Sequence, residues 1–162
     1  MGRGRTRVGR TRIAYPPAAM VLYPRAVSAQ GRKTIRVVAA VVERDGRYLI
    51  TQRRANAVLP GLWEFPGGRV EDGESDEKAL RRELRERLDV DVEVGQLISF
   101  VSHPYEHYTV DLYLYECRLR GREPVCKAVA DFRWVGSAEF DQYPFTPADE
   151  ASMSKLLGEN AT

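Results

Sequence analysis

Runs of apolar residues predict a chain built from strands and two helices. Residues 35–43 are rich in β-branched side chains and are continuously apolar from 37 to 42, which predicts a strand buried on both faces. The Asp-Gly pair at 45–46 predicts a hairpin turn, and residues 48–53 return as the partner strand. Further strands are predicted at residues 63–65, 90–101, 108–118 and 132–135. Strands and helices that mix without βαβ regularity indicate an α+β fold.

Leucines predict the first helix. Leu80, Leu84 and Leu88 recur every four residues and form one stripe of a helix. Ser75 precedes this run and is a favoured N-cap residue, and two acids occupy the first turn, where the helix dipole favours them. We therefore expect a helix from about residue 75 to residue 88.

Two glutamates lie beside the leucine stripe. Glu83 and Glu86 are three residues apart, so their carboxylates can converge on one point. Converging carboxylates repel each other unless a cation lies between them, and hard cations such as Mg²⁺ prefer oxygen ligands. On its own, such a pair is also typical of the solvated face of a helix. The residues around the pair therefore decide between a metal site and a solvated face.

The pair belongs to a long motif of fixed spacing. The order is a glycine, five residues, a glutamate, seven residues, Arg-Glu-Leu, one residue and a glutamate. Its members are Gly68, Glu74, Arg82, Glu83, Leu84 and Glu86. This motif resembles the Nudix box, and the Leu-Trp-Glu-Phe-Pro-Gly sequence at 62–67 resembles the MutT-like pyrophosphohydrolases of that family. The resemblance covers about residues 35–157.

The resemblance implies a fold and a reaction. The fold would be the Nudix α/β/α sandwich with a mixed sheet. The reaction would be hydrolysis of nucleoside triphosphates, oxidised purine nucleotides among them, to a monophosphate and pyrophosphate. Water attacks a phosphorus, and Mg²⁺ or Mn²⁺ neutralises the developing charge.

The resemblance also assigns catalytic and metal-binding residues. Glu83 would be the base or the carboxylate that orients water. Glu86, Glu83 and the backbone carbonyl of Gly67 would bind metal. Arg82 would brace the glycine loop through Glu74.

Three further residues would bind the substrate. Arg54 and Arg69 would face the phosphates, and Asp149 would hydrogen-bond the nucleobase. A solvated arginine at a strand end is the plain alternative for Arg54. Asp149 would otherwise be a favoured acid at the start of the second helix, which Thr146 caps and Gly158 ends. Its Pro-Ala-Asp context favours the contact with the base.

Three positions depart from the family pattern. Arg87 stands where the family has a metal-binding glutamate, and Ala128 where another glutamate completes the metal site. Asp89 replaces a glycine at the helix end, a modest change because aspartate tolerates the left-handed conformation. Arg87 is four residues from Glu83 and close enough to pair with it, as an internal substitute for a metal ion. We therefore expect weak affinity for Mg²⁺ or Mn²⁺.

These departures leave two functional hypotheses open. One is a working hydrolase with weakened activity or a rearranged metal site, for which Glu71, Glu123 or Asp131 would supply the missing ligand. The other is a degenerate Nudix domain that binds a nucleotide or a protein partner without hydrolysing it. A turnover assay on nucleoside triphosphates separates the two.

Composition excludes several other classes. The chain has 162 residues, of which 43% are hydrophobic and 30% charged, as in ordinary globular domains. No apolar run is long enough to span a membrane, so we expect no membrane partner. Cys117 and Cys126 are nine residues apart and lack zinc-site spacing, so we interpret both as reduced thiols in a cytoplasmic protein.

Charge divides the chain unevenly. Residues 1–34 hold eight basic residues and no acid, whereas residues 35–162 hold 17 basic and 23 acidic residues. The net charge of +2 therefore gives no reason to expect specific nucleic-acid binding by the domain at 35–162. We predict that residues 1–34 are disordered. Three interpretations are open: an organelle transit peptide, a basic arm for nucleic acid or, as we favour, an extension without function, with Met20 as the natural start.

Overall fold

A computed structural model describes residues 32–159. The elements are β1 (Lys33–Arg44), β2 (Arg47–Gln52), β3 (Trp63–Glu64), β4 (Gly67–Arg69), α1 (Asp76–Leu88), β5 (Asp91–Pro104), β6 (Tyr108–Arg120), β7 (Asp131–Val135), a 3-10 helix (Ser137–Gln142) and α2 (Pro147–Glu159). The extension predicted at residues 1–34 lies outside the described residues except for its last three, and β1 begins two residues earlier than predicted. No helix among the described residues is long and apolar enough to cross a membrane.

The sheet is mixed, with β1 at its centre. β1 runs parallel to β6 and antiparallel to β4, and it forms a hairpin with β2. β5 pairs with β6 at one edge, and β3 and β7 both pair with β2. Asp45 and Gly46 have φ angles of 53° and 73° at the hairpin, the left-handed pair that an Asp-Gly turn requires.

The two faces of β1 are buried in different cores, because alternate side chains of a strand point to opposite sides. Ile35, Ala39 and Val41 belong to the core that includes Met153 of α2. Val38, Ala40 and Val42 belong to the core that includes the α1 leucines. The sheet is thus covered by one helix on each face. This confirms both the predicted burial of β1 and the α/β/α sandwich.

Helix α1 has the bounds and the buried stripe that the sequence predicts. Leu80, Leu84 and Leu88 are fully buried, and Ser75 caps the helix by accepting the backbone N–H of Lys78 at 3.2 Å. Asp89 ends it in the left-handed region, at φ 54° and ψ 41°. The glycine of the family pattern is therefore replaced without loss of the helix end.

Some predicted boundaries are wrong. Gly158 was expected to end α2, which instead extends to Glu159. β5 continues through Pro104, because β5 is an edge strand in which a missing N–H costs no ladder bond.

The glycine pair at 67–68, expected in a loop, begins strand β4. A Cβ atom at Gly67 would lie 2.0 Å from the carbonyl oxygen of Val38, so only glycine can approach β1 this closely.

Candidate active site

The glycine pair of β4 lies directly against the helix that carries the glutamates. A Cβ atom at Gly68 would lie 2.3–2.6 Å from the carboxyl atoms of Glu83. The backbone of β4 therefore covers this carboxylate, and Glu83 is only 7% exposed although it is charged. Burial of a carboxylate is costly unless partners compensate its charge.

Arg82 joins the loop to the helix. Its Nε and Nη2 atoms donate to the two carboxylate oxygens of Glu74 at 2.9 Å each, and Nη2 also donates to the carbonyl oxygen of Arg69 at 2.9 Å. Its Nη1 atom donates to Glu83 at 2.9 Å and to Glu86 at 3.4 Å. The Arg82 hydrogen bonds lower the pKa of Glu74 to about 2, so the contact persists in mild acid.

Two guanidinium groups occupy both oxygens of Glu83. Arg82 donates to Oε1 at 2.9 Å, and Arg87 donates through Nε to Oε2 at 2.7 Å. Arg87 lies one helical turn after Glu83, and its side chain is 27% exposed. A charge-assisted ion pair thus occupies the position where the family pattern predicts a metal.

The loop that carries Ala128 packs on the end of α1 through its backbone. The N–H groups of Lys127 and Ala128 donate to the carbonyl oxygen of Arg87 at 3.1 and 3.0 Å, and the N–H of Val125 donates to that of Leu88 at 3.0 Å. These bonds satisfy carbonyls that the last turn of a helix leaves without partners. Arg54 donates to the carbonyl oxygen of Lys127 at 2.7 Å, which brings Arg54 to the same loop.

The backbone carbonyl of Gly67 is directed away from β1. The neighbouring ladder bonds join Ala40 N–H to Pro66 O and Val70 N–H to Arg36 O. Gly67, paired with Ala39, therefore lies at a non-hydrogen-bonded position of the antiparallel ladder. This oxygen is available as a ligand whatever side chains surround it.

The donor set does not fit a resident metal ion. Among residues 32–159, no three His, Cys, Asp or Glu side chains form a metal-binding group. Both oxygens of Glu83 are held by arginines, which leaves Glu86, whose side chain is 60% exposed, and the Gly67 carbonyl. A Mg²⁺ ion that arrives bound to a nucleotide keeps water and phosphate ligands, so it needs only one or two protein carboxylates.

The three carboxylates that were considered as replacements lie in different places. Glu71 is 3.9 Å from Arg82, which also contacts Glu83 and Glu86. Glu123 instead pairs with Arg44 at 2.9 Å. Asp131 begins β7 and pairs with Arg133 at 3.0 Å.

Asp149 is buried at the start of α2, 5% exposed. Its carboxylate accepts the backbone N–H of Phe65 at 2.9 Å and the hydroxyl of Thr146 at 2.6 Å. Burial, reinforced by the negative charge of Glu64, raises the pKa of Asp149 to about 7. The contact with Phe65 spans 84 positions of the chain, and no local pattern in the sequence indicates it.

The remaining candidates are exposed. Arg54, which follows β2, and Arg69, the last residue of β4, have exposed side chains. Sequence reasoning did not identify Lys127, because its proximity to Arg54 and Arg87 depends on backbone contacts between distant segments.

The mixed sheet between two helices, with the glycine pair of β4 against α1, defines the class of protein. The chain belongs to the Nudix family, whose NUDIX domain profile matches residues 37–155. This confirms the resemblance inferred from the box. Its relatives include enzymes that act on nucleoside triphosphates.

The CTP pyrophosphohydrolase of Escherichia coli (strain K12) is 40% identical over 119 residues, covering 72% of this chain and 87% of that protein. The 8-oxo-dGTP diphosphatase of Proteus vulgaris is 37% identical over 86 residues, covering 51% of this chain and 77% of that protein. The solution structure of the E. coli ORF135 protein is similar with a TM-score of 0.70 and 35% identity, covering 80% of this chain and 93% of that one.

Proposed function

We propose that the chain is a MutT-like Nudix hydrolase that converts nucleoside triphosphates to monophosphates and pyrophosphate. The observation that carries this proposal is the buried carboxylate of Glu83, fixed by Arg82 and covered by Gly68. The relatives named for CTP and 8-oxo-dGTP support the same substrate class. Which nucleotide is the substrate is determined by measuring the turnover of each triphosphate.

Glu83 has the central role in the proposed reaction. Water attacks a phosphorus, the bond between the α and β phosphoryl groups breaks, and Glu83 orients the water or accepts its proton. Since both oxygens of Glu83 accept hydrogen bonds from arginines, the water has to compete with Arg87 for Oε2. This competition predicts a slow hydrolase.

The substrate would be held by side chains from other elements of the fold. Arg54 and Arg69 would compensate the phosphate charge, and Asp149 would contact the nucleobase. Mg²⁺ would enter as part of the nucleotide substrate, near Glu86 and the Gly67 carbonyl, and would neutralise phosphate charge there. The cytoplasmic location stays a prediction from the sequence.

A second candidate function is supported by the ion pair between Arg87 and Glu83. A nucleotide-binding domain without hydrolysis would keep the fold and the arginines, while its catalytic carboxylate stays paired. The two candidates differ in turnover and not in binding.

A panel of nucleoside triphosphates separates them. The full chain is incubated with Mg²⁺ and CTP, dCTP, dGTP or 8-oxo-dGTP, and pyrophosphate release is recorded beside nucleotide binding. Turnover of at least one nucleotide supports the hydrolase. Binding of a nucleotide without release of pyrophosphate from any of them supports the second candidate.

A further inference from the structure

Arg87 has donor capacity that its ion pair does not use. Its Nε atom donates to Glu83, while its two terminal nitrogens have no hydrogen-bond partner among the described residues. A guanidinium group carries five N–H donors in a planar fork that matches the oxygens of a phosphate. Since the side chain is 27% exposed, a bound anion can reach these nitrogens.

Two other basic residues are joined to Arg87 through the backbone of the loop that packs on α1. The backbone of Lys127 lies between the carbonyl oxygen of Arg87, to which it donates at 3.1 Å, and the guanidinium of Arg54, from which it accepts at 2.7 Å. The side chains of Lys127 and Arg54 are exposed. Neither forms an ion pair with an acid among residues 32–159. Three permanent or near-permanent positive charges therefore flank one short loop.

The charge at this point is opposite to that of a metal site. The family pattern has acids at the positions of Arg87 and Ala128, whereas here one is basic and the other is neutral. Acids there would repel phosphate in the absence of a cation, whereas Arg87 attracts it directly. The residue that makes this site unsuitable for a resident metal ion thus makes it suitable for direct binding of phosphate.

We infer that Arg87, Lys127 and Arg54 form a metal-independent binding site for the phosphate chain of a nucleoside triphosphate. Arg87 replaces the resident cation and contributes charge and hydrogen bonds to the bound phosphates. This inference rests on the proposed function for its ligand class. It differs from that function because it concerns binding without added divalent cation.

The test is calorimetric titration of the full chain with a non-hydrolysable α,β-methylene nucleoside triphosphate. It is run with excess EDTA and again with Mg²⁺. The wild type is expected to bind in EDTA with an affinity within about threefold of that in Mg²⁺. Arg87→Gln should lose about tenfold in EDTA, the value of a charge-assisted hydrogen bond. Lys127→Gln should lose a smaller factor.

Arg85→Gln is the matched control. Arg85 lies on the same turn of α1 but pairs with Asp91, and its side chain is 68% exposed. It should bind like the wild type. The unphosphorylated nucleoside is the ligand control, and its affinity should not respond to Arg87→Gln. Thermal unfolding of each variant shows that the comparison is made between folded proteins.

Loss of wild-type binding in EDTA, or equal binding by Arg87→Gln and wild type, would overturn the inference. A protein that needs Mg²⁺ to bind but releases pyrophosphate would refute this site and leave the hydrolase intact. A protein that binds in EDTA but never releases pyrophosphate would support this site and refute the hydrolase. Equal effects of Arg85→Gln and Arg87→Gln would show that binding depends only on the net charge of the protein, and would also overturn the inference.

Discussion

The backbone N–H of Ala128 donates a hydrogen bond of 3.0 Å to the carbonyl oxygen of Arg87. The two positions that have lost an acid of the family pattern are therefore direct neighbours, although 41 positions separate them in the chain. Because one of these residues is basic and the other is neutral, both replacements make the local charge more positive than in the family pattern. The weak metal affinity predicted from the sequence gains support from this contact and stays a prediction.

Restoring the acids should restore metal binding. Arg87→Glu removes the fixed cation and adds a carboxylate beside Glu83, so Mg²⁺ or Mn²⁺ should bind more tightly by about tenfold. Arg87→Glu combined with Ala128→Glu should bind more tightly again and raise the rate of pyrophosphate release. Calorimetric metal titration measures the first effect. Arg85→Glu is the control, since it makes the same charge change on the exposed side chain that faces Asp91.

Glu83→Gln should abolish most of the turnover. The amide keeps the shape of the side chain but cannot accept a proton from water, so pyrophosphate release should fall by about 10²-fold or more. Glu77→Gln is the comparison, because Glu77 is an exposed glutamate of the same helix that pairs with Arg81. Equal rates for Glu83→Gln and the wild type would show that another group handles the proton.

Gly68→Ala tests the close packing of β4 on the helix. The new Cβ would lie 2.3–2.6 Å from the carboxyl atoms of Glu83, so the carboxylate has to move away from its arginines. A displacement of about 1 Å is enough to lower turnover by about 10²-fold. Gly136→Ala is the matched control, since a Cβ there meets nothing within 4 Å. Full activity of Gly68→Ala would mean that Glu83 need not occupy this position.

Asp149 should make stability depend on pH. Its pKa is raised from 3.8 to about 7, so between these values the folded protein holds a proton that the unfolded chain has released. The free energy of unfolding should therefore fall as pH rises from about 4 to about 7, by up to about 4 kcal/mol from this residue. Asp149→Asn lacks this titration.

The pH prediction is checked by denaturant unfolding of both proteins from pH 5 to pH 8. The stability of Asp149→Asn relative to the wild type should increase with pH. Asp141→Asn changes an exposed aspartate of the 3-10 helix and should follow the wild-type curve. A constant difference between Asp149→Asn and the wild type at every pH would contradict the raised pKa.

Helix α1 could be predicted from sequence because its determinants are local. Leucine spacing, the Ser75 cap and the left-handed end at Asp89 all lie within fifteen residues, and each has a direct physical reason. The central strand β1 was predictable for the same reason, since its uninterrupted apolar run indicates burial on both faces.

The site depends on contacts that no local pattern reports. The glycine pair was expected in a loop, yet the absence of a side chain is what allows Gly67 of β4 to approach Val38. The position of Lys127 beside Arg54 and Arg87 follows from backbone bonds between segments far apart in the chain. The pairing of Arg87 with Glu83 was predictable from their spacing, because four residues make one turn of helix.

The identity of the reaction products tests the proposed hydrolase most directly. The full chain is incubated with CTP and Mg²⁺, and the products are separated and quantified beside Glu83→Gln. The expected result is equal amounts of CMP and pyrophosphate from the wild type and almost none from the variant. Release of CDP and inorganic phosphate, or equal product from both proteins, would contradict it.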